Sequence, residues 1–181
     1  MQEAFAAQYL NDAVRQFRQL KELAEQALAQ ISDDEFFIAL DEEANSLALL
    51  MKHLAGSMRA RWTDFPSESD EASSRNRDSE FAIDEADTKS ALIGSWEAAW
   101  QCLFDAIEPL TAAHLAQTIR IRGRSVTVLE AINRQLIHYA YHVGQIVFLA
   151  KHFRSSAWQS LSIPRGKSAE FITAARKKGE G

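Results

Sequence analysis

The sequence predicts an all-α protein, a bundle of four helices with a short hairpin before the last of them. Apolar residues recur at alternating spacings of three and four along four segments, as they do on the buried face of a helix. The 181 residues include only seven glycines and three prolines, too few for the many tight turns of an all-β chain. The length suits a single domain that covers residues 1–181.

Two helices are predicted in the first third of the chain. The first runs from near the start to about Gln30, after which Ser32-Asp33-Asp34 supplies turn chemistry. The second begins at Asn45-Ser46, both good N-cap residues, and ends near Trp62. A long polar loop, residues 63–83, follows it. A loop of that length within a compact domain is either functional or mobile.

Two further helices are expected in the rest of the chain. The third begins between residues 84 and 90 and ends before Pro109, because proline cannot continue a helix. A short hairpin is predicted over residues 118–126, where isoleucines alternate with arginines before a glycine. The fourth helix follows a capping box and covers residues 128–153. A C-terminal tail, residues 155–181, completes the chain and ends in a short helix.

Composition and charge exclude several classes of function. The formal net charge of -5 argues against a nucleic-acid-binding protein that works through bulk electrostatics. The most apolar stretch, Leu136 to Ala150, is too short to span a bilayer. The single cysteine, Cys102, cannot form an internal disulfide, and the N-terminus lacks the pattern of a signal peptide. These features predict a soluble cytoplasmic protein that binds neither nucleic acid nor membrane.

Three histidines on two predicted helices are the candidate functional residues. His138 and His142 are four residues apart, so both imidazoles lie on one helix face, about 6 Å apart along the axis. His53 lies in the second helix among apolar and small residues. Imidazoles on neighbouring helices of a bundle can hold one divalent metal ion. The alternative is a set of hydrogen-bonded core histidines, but a shared cation would satisfy all three buried rings at once.

Polar and basic residues near these histidines are candidates for supporting roles. We expect three of them to line the pocket or to hydrogen-bond the ligands: Ser57, Gln135 and Gln145. Three arginines are candidates for binding the carboxylates of a small anionic substrate at the mouth of the site: Arg59, Arg122 and Arg134. The alternative is that these arginines belong to an ordinary solvated surface.

The chemistry open to such a site follows from its ligands. The segment His138-Tyr139-Ala140-Tyr141-His142 lacks the glutamate of the zinc protease signature, so the motif contains no general base. Three neutral nitrogen ligands leave at least one coordination position open. An ion held in this way can deprotonate a bound water or a bound thiol, and the second option needs no protein base. The sequence identifies no catalytic residue beyond these ligands.

Several motifs resemble those of the DinB-like proteins. The resemblance rests first on a histidine in the second helix together with the string from His138 to Ile146 in the fourth. Other strings resemble an uncharacterised branch of that family: Lys52-His53-Leu54, Thr63-Asp64-Phe65, Arg75 to Phe81, Arg122-Gly123, Leu129 to Ile132, and Ser162 to Ser168. The resemblance covers nearly the whole chain.

The resemblance implies a four-helix bundle of DinB-like type that binds one divalent metal ion, nickel or zinc, through His53, His138 and His142. It also implies a homodimer and a small-molecule substrate. Some relatives are S-transferases that use low-molecular-weight thiols, and one is a maleylpyruvate isomerase. The first hypothesis is therefore a metal-dependent, thiol-dependent S-transferase. The alternatives are a hydrolase that uses metal-bound hydroxide and a non-enzymatic metal-binding stress protein.

Overall fold

Four long helices form a bundle in the computed structural model, which describes residues 2–67 and 75–179. Within these ranges the helices are α1 (Gln2–Leu28), α2 (Asp33–Phe36), α3 (Leu47–Trp62), α4 (Lys89–Ile107), α5 (Ala112–Leu115), α6 (Val128–Arg154) and α7 (Ser168–Gly179). A hairpin pairs the antiparallel strands β1 (Thr118–Ile121) and β2 (Arg124–Thr127). The predicted helical class, the four-helix bundle and the hairpin before the last long helix are confirmed.

Capping residues begin three of the long helices where the sequence places them. The Ser46 hydroxyl accepts a backbone N–H at the start of α3, and the Thr88 hydroxyl does the same for α4. At α6, the Thr127 hydroxyl accepts the N–H of Glu130, and the Glu130 carboxylate accepts the N–H of Thr127. The predicted ends of the four long helices agree with the observed ones to about two residues.

One aromatic ring from each long helix meets in the centre of the bundle. Phe17, Trp62, Trp100 and Tyr139 are in edge-on or tilted contact, with ring centroids 5.8 to 6.4 Å apart. Such pairs contribute about 0.5–1.5 kcal/mol each beyond the area that they bury. The indole Nε1 of Trp62 also donates a hydrogen bond of 3.0 Å to the Tyr139 hydroxyl. This cluster fixes α6 against α3, the two helices that carry the candidate histidines.

The hairpin places an arginine at its tip. Its two-residue turn consists of Arg122 and Gly123, with φ angles of 50° and 75°, and Ile121 pairs with Arg124 on either side of it. Two positive φ angles in a two-residue loop are typical of a type I′ turn. Ile119 and Ile121 are buried, so one face of the hairpin packs on the bundle while Arg122 lies at the exposed tip.

The long polar loop is described on both sides of residues 68–74, which lie outside the described residues. Its last part contains a 3-10 turn, Asp78–Phe81, that packs on α3. The expected helix in the C-terminal tail is α7, and no helix of the described ranges is long and apolar enough to cross a membrane. That residues 1–181 form a single domain stays a prediction.

Candidate metal centre

The three histidines of α3 and α6 come together at one place between these helices. One ring nitrogen from each of His53, His138 and His142 lies within 4.8 Å of the others. The ring centroids are 4.8 to 5.5 Å apart, and the ring planes are 71–79° to one another. Only small rotations of these side chains are needed to bring the three nitrogens to one ion, since each Zn–N bond is about 2.0–2.1 Å long.

Glu80 orients the ring of His53. Its Oε2 lies 2.9 Å from His53 Nδ1, and both side chains are buried. A carboxylate at Nδ1 makes that nitrogen the N–H donor and leaves Nε2 with its lone pair available to a metal ion. A histidine that binds a metal ion almost always donates its other ring N–H to a carboxylate, a backbone carbonyl or a water. The sequence analysis did not identify Glu80.

Arg75 keeps the Glu80 carboxylate ionised. Its Nε and one terminal nitrogen donate hydrogen bonds of 2.7 and 2.8 Å to the two oxygens of Glu80. Burial raises the pKa of Glu80, but the hydrogen bonds from Arg75 and His53 outweigh it and hold this pKa below its ordinary value. The carboxylate is therefore charged at neutral pH and accepts a hydrogen bond from the Nδ1–H group of His53.

Gly56 provides the space that Glu80 occupies. A Cβ on this residue, which lies within α3, would stand 2.5 Å from Glu80 Oε1 and 2.7 Å from its Cδ. Real Cβ atoms essentially never make such contacts, so any larger residue here would displace the carboxylate. A glycine inside a helix is unfavourable by about 1 kcal/mol relative to alanine. Its presence here is explained by the close approach of Glu80 to α3.

Gln145 orients His142 in a similar way. Gln145 Oε1 lies 2.8 Å from His142 Nδ1, so the amide oxygen accepts the Nδ1 proton and Nε2 stays unprotonated. Burial lowers the pKa of His142 although this hydrogen bond raises it. Burial also lowers the pKa of His138, to about 4, and the nearby imidazoles add to this effect. Both rings are neutral at pH 7, which is the form that binds a metal ion.

The histidines border an open cavity of about 600 Å³. Of the six polar and basic residues that the sequence analysis proposed around the histidines, all but one line this cavity. The five that line it are Ser57, Arg122, Arg134, Gln135 and Gln145. The exception is Arg59, which donates to the Ser95 hydroxyl and lines a separate cavity beside Gly56. Three other arginines line the histidine cavity instead: Arg61, Arg75 and Arg77.

The remaining histidines have other places in the fold. His114 Nδ1 accepts the backbone N–H of Thr111 at 2.9 Å, which caps the short helix α5. His152 is exposed near the C-terminal end of α6. In the described residues, His53, His138 and His142 are the group of potential ligands close enough to share a metal ion.

The sequence matches a known protein family, and the fold matches a solved structure. A family model described as "Protein of unknown function (DUF1572)" matches residues 4–167. No curated protein matches the chain. The solved structure of YfiT from Bacillus subtilis, described as "a probable metal-dependent hydrolase with an unusual four-helix bundle topology", has the same fold with a TM-score of 0.67 at 12% identity. The match covers 83% of this chain and 89% of the YfiT chain. The expected DinB-like bundle is confirmed.

Proposed function

The chain belongs to the DUF1572 family, and we propose that it is an enzyme that uses one divalent metal ion to act on a small molecule. The observation that carries the proposal is the convergence of His53, His138 and His142 within 4.8 Å of one another beside an open cavity. Similarity to YfiT, a probable metal-dependent hydrolase by its description, supports a metal-dependent activity on this fold.

The donor set fits a transition metal ion. Three imidazoles are suitable ligands for zinc and nickel, which are the ions that we propose. Glu80 and Gln145 fix the orientation of His53 and His142, so these two ligands are preorganised before an ion binds. When bound, such an ion supplies Lewis acidity and lowers the pKa of a thiol or a water beside it.

Thiol S-transfer is the reaction that we propose for this site. The low-molecular-weight thiol loses its proton to solvent, and its sulfur forms a bond to an electrophilic atom of the second substrate. The bond between that atom and the leaving group breaks, and the leaving group departs with its electron pair. No aspartate or glutamate among the described residues lines the cavity to act as a general base. Glu80, the carboxylate that contacts His53, already accepts hydrogen bonds from His53 and Arg75. A thiol, with an ordinary pKa of about 8.5, depends less on a protein base than a water does.

Hydrolysis is the second candidate, because YfiT is described as a probable metal-dependent hydrolase. Hydrolysis requires that a water loses its proton, and no carboxylate among the described residues of the cavity wall is present to accept it as a general base. A purely non-enzymatic metal-binding role is the third candidate. A cavity of about 600 Å³ beside the histidines favours access of a substrate over a closed, structural site.

A homodimer is also part of the proposal. Helix α6 exposes Ile137, Tyr141 and Phe148, which are 73%, 63% and 65% accessible. Spacings of four and seven residues put these side chains along one stripe of the helix. An apolar stripe of this kind suits a second copy of the chain. Light scattering after gel filtration measures the mass, and a monomer at micromolar concentration would reject the dimer.

Turnover with a panel of thiols tests the proposed reaction. Metal-loaded protein is incubated with each thiol and a chromogenic electrophile, and with an activated ester in a parallel assay for hydrolysis. The exposed His152→Ala variant is the control for His138→Ala, because both substitutions remove one imidazole from α6. S-transfer predicts a rate for at least one thiol that His152→Ala keeps and His138→Ala loses. Equal rates in wild type and His138→Ala for every thiol would reject S-transfer.

A further inference from the structure

We infer that Gln135 selects the substrate of the histidine cavity, by binding an amide group of that molecule through its own carboxamide. This inference rests on the proposed function, since it names the class of substrate for the same site. Gln135 belongs to α6 and lines the cavity together with His53, His138 and His142.

The carboxamide oxygen of Gln135 is buried and has no hydrogen-bond partner among the described residues. The residue as a whole is 6% exposed, so its contact with bulk solvent is slight. A buried acceptor without a partner costs free energy, and the large majority of buried polar side-chain atoms in native structures have one. A donor on a molecule bound in the cavity would complete the hydrogen bonding of this side chain.

A second glutamine on the same helix shows how a carboxamide is used when it has a partner. Gln145 follows His142 by three residues, and its Oε1 lies 2.8 Å from the Nδ1 of that ring. Gln135 precedes His138 by three residues, but its oxygen accepts no hydrogen bond from that ring. Both glutamines line the cavity. Gln145 therefore orients a candidate ligand, whereas the oxygen of Gln135 remains free to accept from a bound molecule.

The place of Gln135 on α6 determines which part of a bound molecule it can reach. Residues three apart are neighbours on one face of a helix, and Gln135 lies about 4.5 Å along the axis from His138. The torsion at the end of a glutamine side chain turns easily, so the oxygen can face the cavity at little cost. A molecule held at the histidines through one atom can therefore offer a group a few bonds away to Gln135.

An amide group complements a carboxamide better than other polar groups do. The oxygen of Gln135 accepts and its NH₂ group donates, so an amide can pair with both through its N–H and its C=O. An ionised carboxylate has acceptors alone and would leave the Gln135 oxygen without a partner. The ligand class is therefore a small molecule with an amide close to its reactive atom. For the proposed S-transfer, this molecule is an amide-bearing thiol.

Two thiols that differ in one group test this inference. N-Acetylcysteamine carries an amide N–H two carbon atoms from its sulfur, and 2-mercaptoethyl acetate is the corresponding ester, which lacks this donor. Calorimetric titration of zinc-loaded protein measures the Kd of each. The variant is Gln135→Met, which keeps the length of the side chain and removes its polar group. Gln16→Met, at an exposed position of α1, is the matched control.

We expect the wild type to bind the amide about fivefold more tightly than the ester, since the two differ by one hydrogen bond to Gln135. Gln135→Met should bind both thiols with a similar Kd, and Gln16→Met should keep the wild-type preference. The inference is overturned if the wild type binds both thiols equally or binds neither, or if Gln135→Met keeps the preference for the amide.

Urea denaturation of the metal-free protein separates this role from a structural one. Replacement of an unpaired buried amide by an apolar group of similar shape is neutral or stabilising, so the midpoint of Gln135→Met should equal or exceed that of Gln16→Met. A lower midpoint would show that Gln135 has a structural partner, such as a buried water, and would overturn the inference. So would a tenfold weaker affinity of Gln135→Met for zinc, which would assign Gln135 to the orientation of His138.

The zinc content of the wild type separates this inference from the proposed function. A protein that binds zinc but does not prefer the amide overturns the substrate class and leaves the metal site intact. A protein that binds no zinc rejects the proposed function. Titration of that metal-free protein with the same two thiols then decides the inference by the same criterion, the preference for the amide and its loss in Gln135→Met.

Discussion

Gly56 and Glu80 fit together so closely that the carboxylate occupies the space of the missing side chain. The point where a Cβ of Gly56 would stand lies 2.5 Å from Glu80 Oε1. Because Glu80 also contacts His53 Nδ1 at 2.9 Å, a glycine in one helix controls the orientation of a candidate metal ligand. Two predictions follow from this contact, one for each partner.

Gly56→Ala should displace Glu80 and weaken metal binding. We expect the Kd for zinc to rise about tenfold, because loss of an orienting partner of a histidine ligand costs about 10–100-fold in affinity. Competition with a chromophoric chelator measures it. Gly94→Ala in α4 is the matched control, since a Cβ there meets nothing within 4 Å. That variant should gain about 0.5–1 kcal/mol of stability and keep the wild-type Kd. Wild-type zinc affinity in Gly56→Ala would contradict the role of this contact.

Glu80→Gln keeps the shape of the side chain and removes its charge. The Kd for zinc should again rise about tenfold, since an amide is a weaker acceptor for the His53 N–H and loses the ion pair with Arg75. The exposed Glu85→Gln is the control and should bind zinc as the wild type does. The same chelator competition measures both variants. An unchanged Kd in Glu80→Gln would show that the carboxylate charge is not needed.

The metal-free protein should become less stable as the pH falls from about 6.5 to 4. The pKa of His138 is lowered from 6.5 to about 4, first by burial and then by the neighbouring imidazoles. Within this range the unfolded chain binds a proton that the folded chain does not, so the free energy of unfolding decreases as the pH is lowered. Urea denaturation at pH 7 and pH 5 should show a smaller decrease for His138→Gln than for wild type. An equal decrease in both proteins would mean that His138 is not the group responsible.

Tyr139→Phe should reduce stability without removing the metal site. It leaves the buried indole N–H of Trp62 without its hydroxyl acceptor, which costs about 1–3 kcal/mol. We expect that loss in urea denaturation, together with a Kd for zinc within about threefold of wild type, since the ring remains packed against Phe17 and Trp100. A large loss of zinc affinity in Tyr139→Phe would show that the aromatic cluster positions the histidines through this hydrogen bond.

The sequence predicts the helices and the histidine faces because these depend on local periodicity. Two residues four positions apart, such as His138 and His142, lie on the same face of any α-helix. The capping residues Ser46 and Thr127 mark where α3 and α6 begin. Glu80 could not be identified in this way, since it lies in a polar loop without periodicity and 27 residues from its partner His53. The string from Arg75 to Phe81, which contains Glu80, is part of the family resemblance. This resemblance is the signal in the sequence that points to Glu80.

The arginines show a second limit of sequence analysis. Arg59 and Arg61 are two residues apart on α3, so they lie about 200° apart around the helix. Relative to His53 on the same helix, Arg61 lies about 80° away and Arg59 about 120° away, a difference too small for periodicity to choose between them. The packing of α3 in the bundle makes the choice, and it is Arg61 that lines the cavity. Arg122 and Arg134 could be proposed because they belong to a cluster of basic residues in the sequence, and Arg134 also lies one turn before His138 on the same helix.

Metal content tests the central claim most directly. Protein purified without added metal, and again after incubation with zinc or nickel, is analysed by mass spectrometry of its elements, with circular dichroism to confirm folding. We predict one transition metal ion per chain in wild type and in the exposed-position control His152→Ala. His53→Ala, His138→Ala and His142→Ala should each fold and retain less than about a tenth of that content. A wild-type protein that binds no ion, or three folded variants that keep the wild-type content, would contradict the metal site.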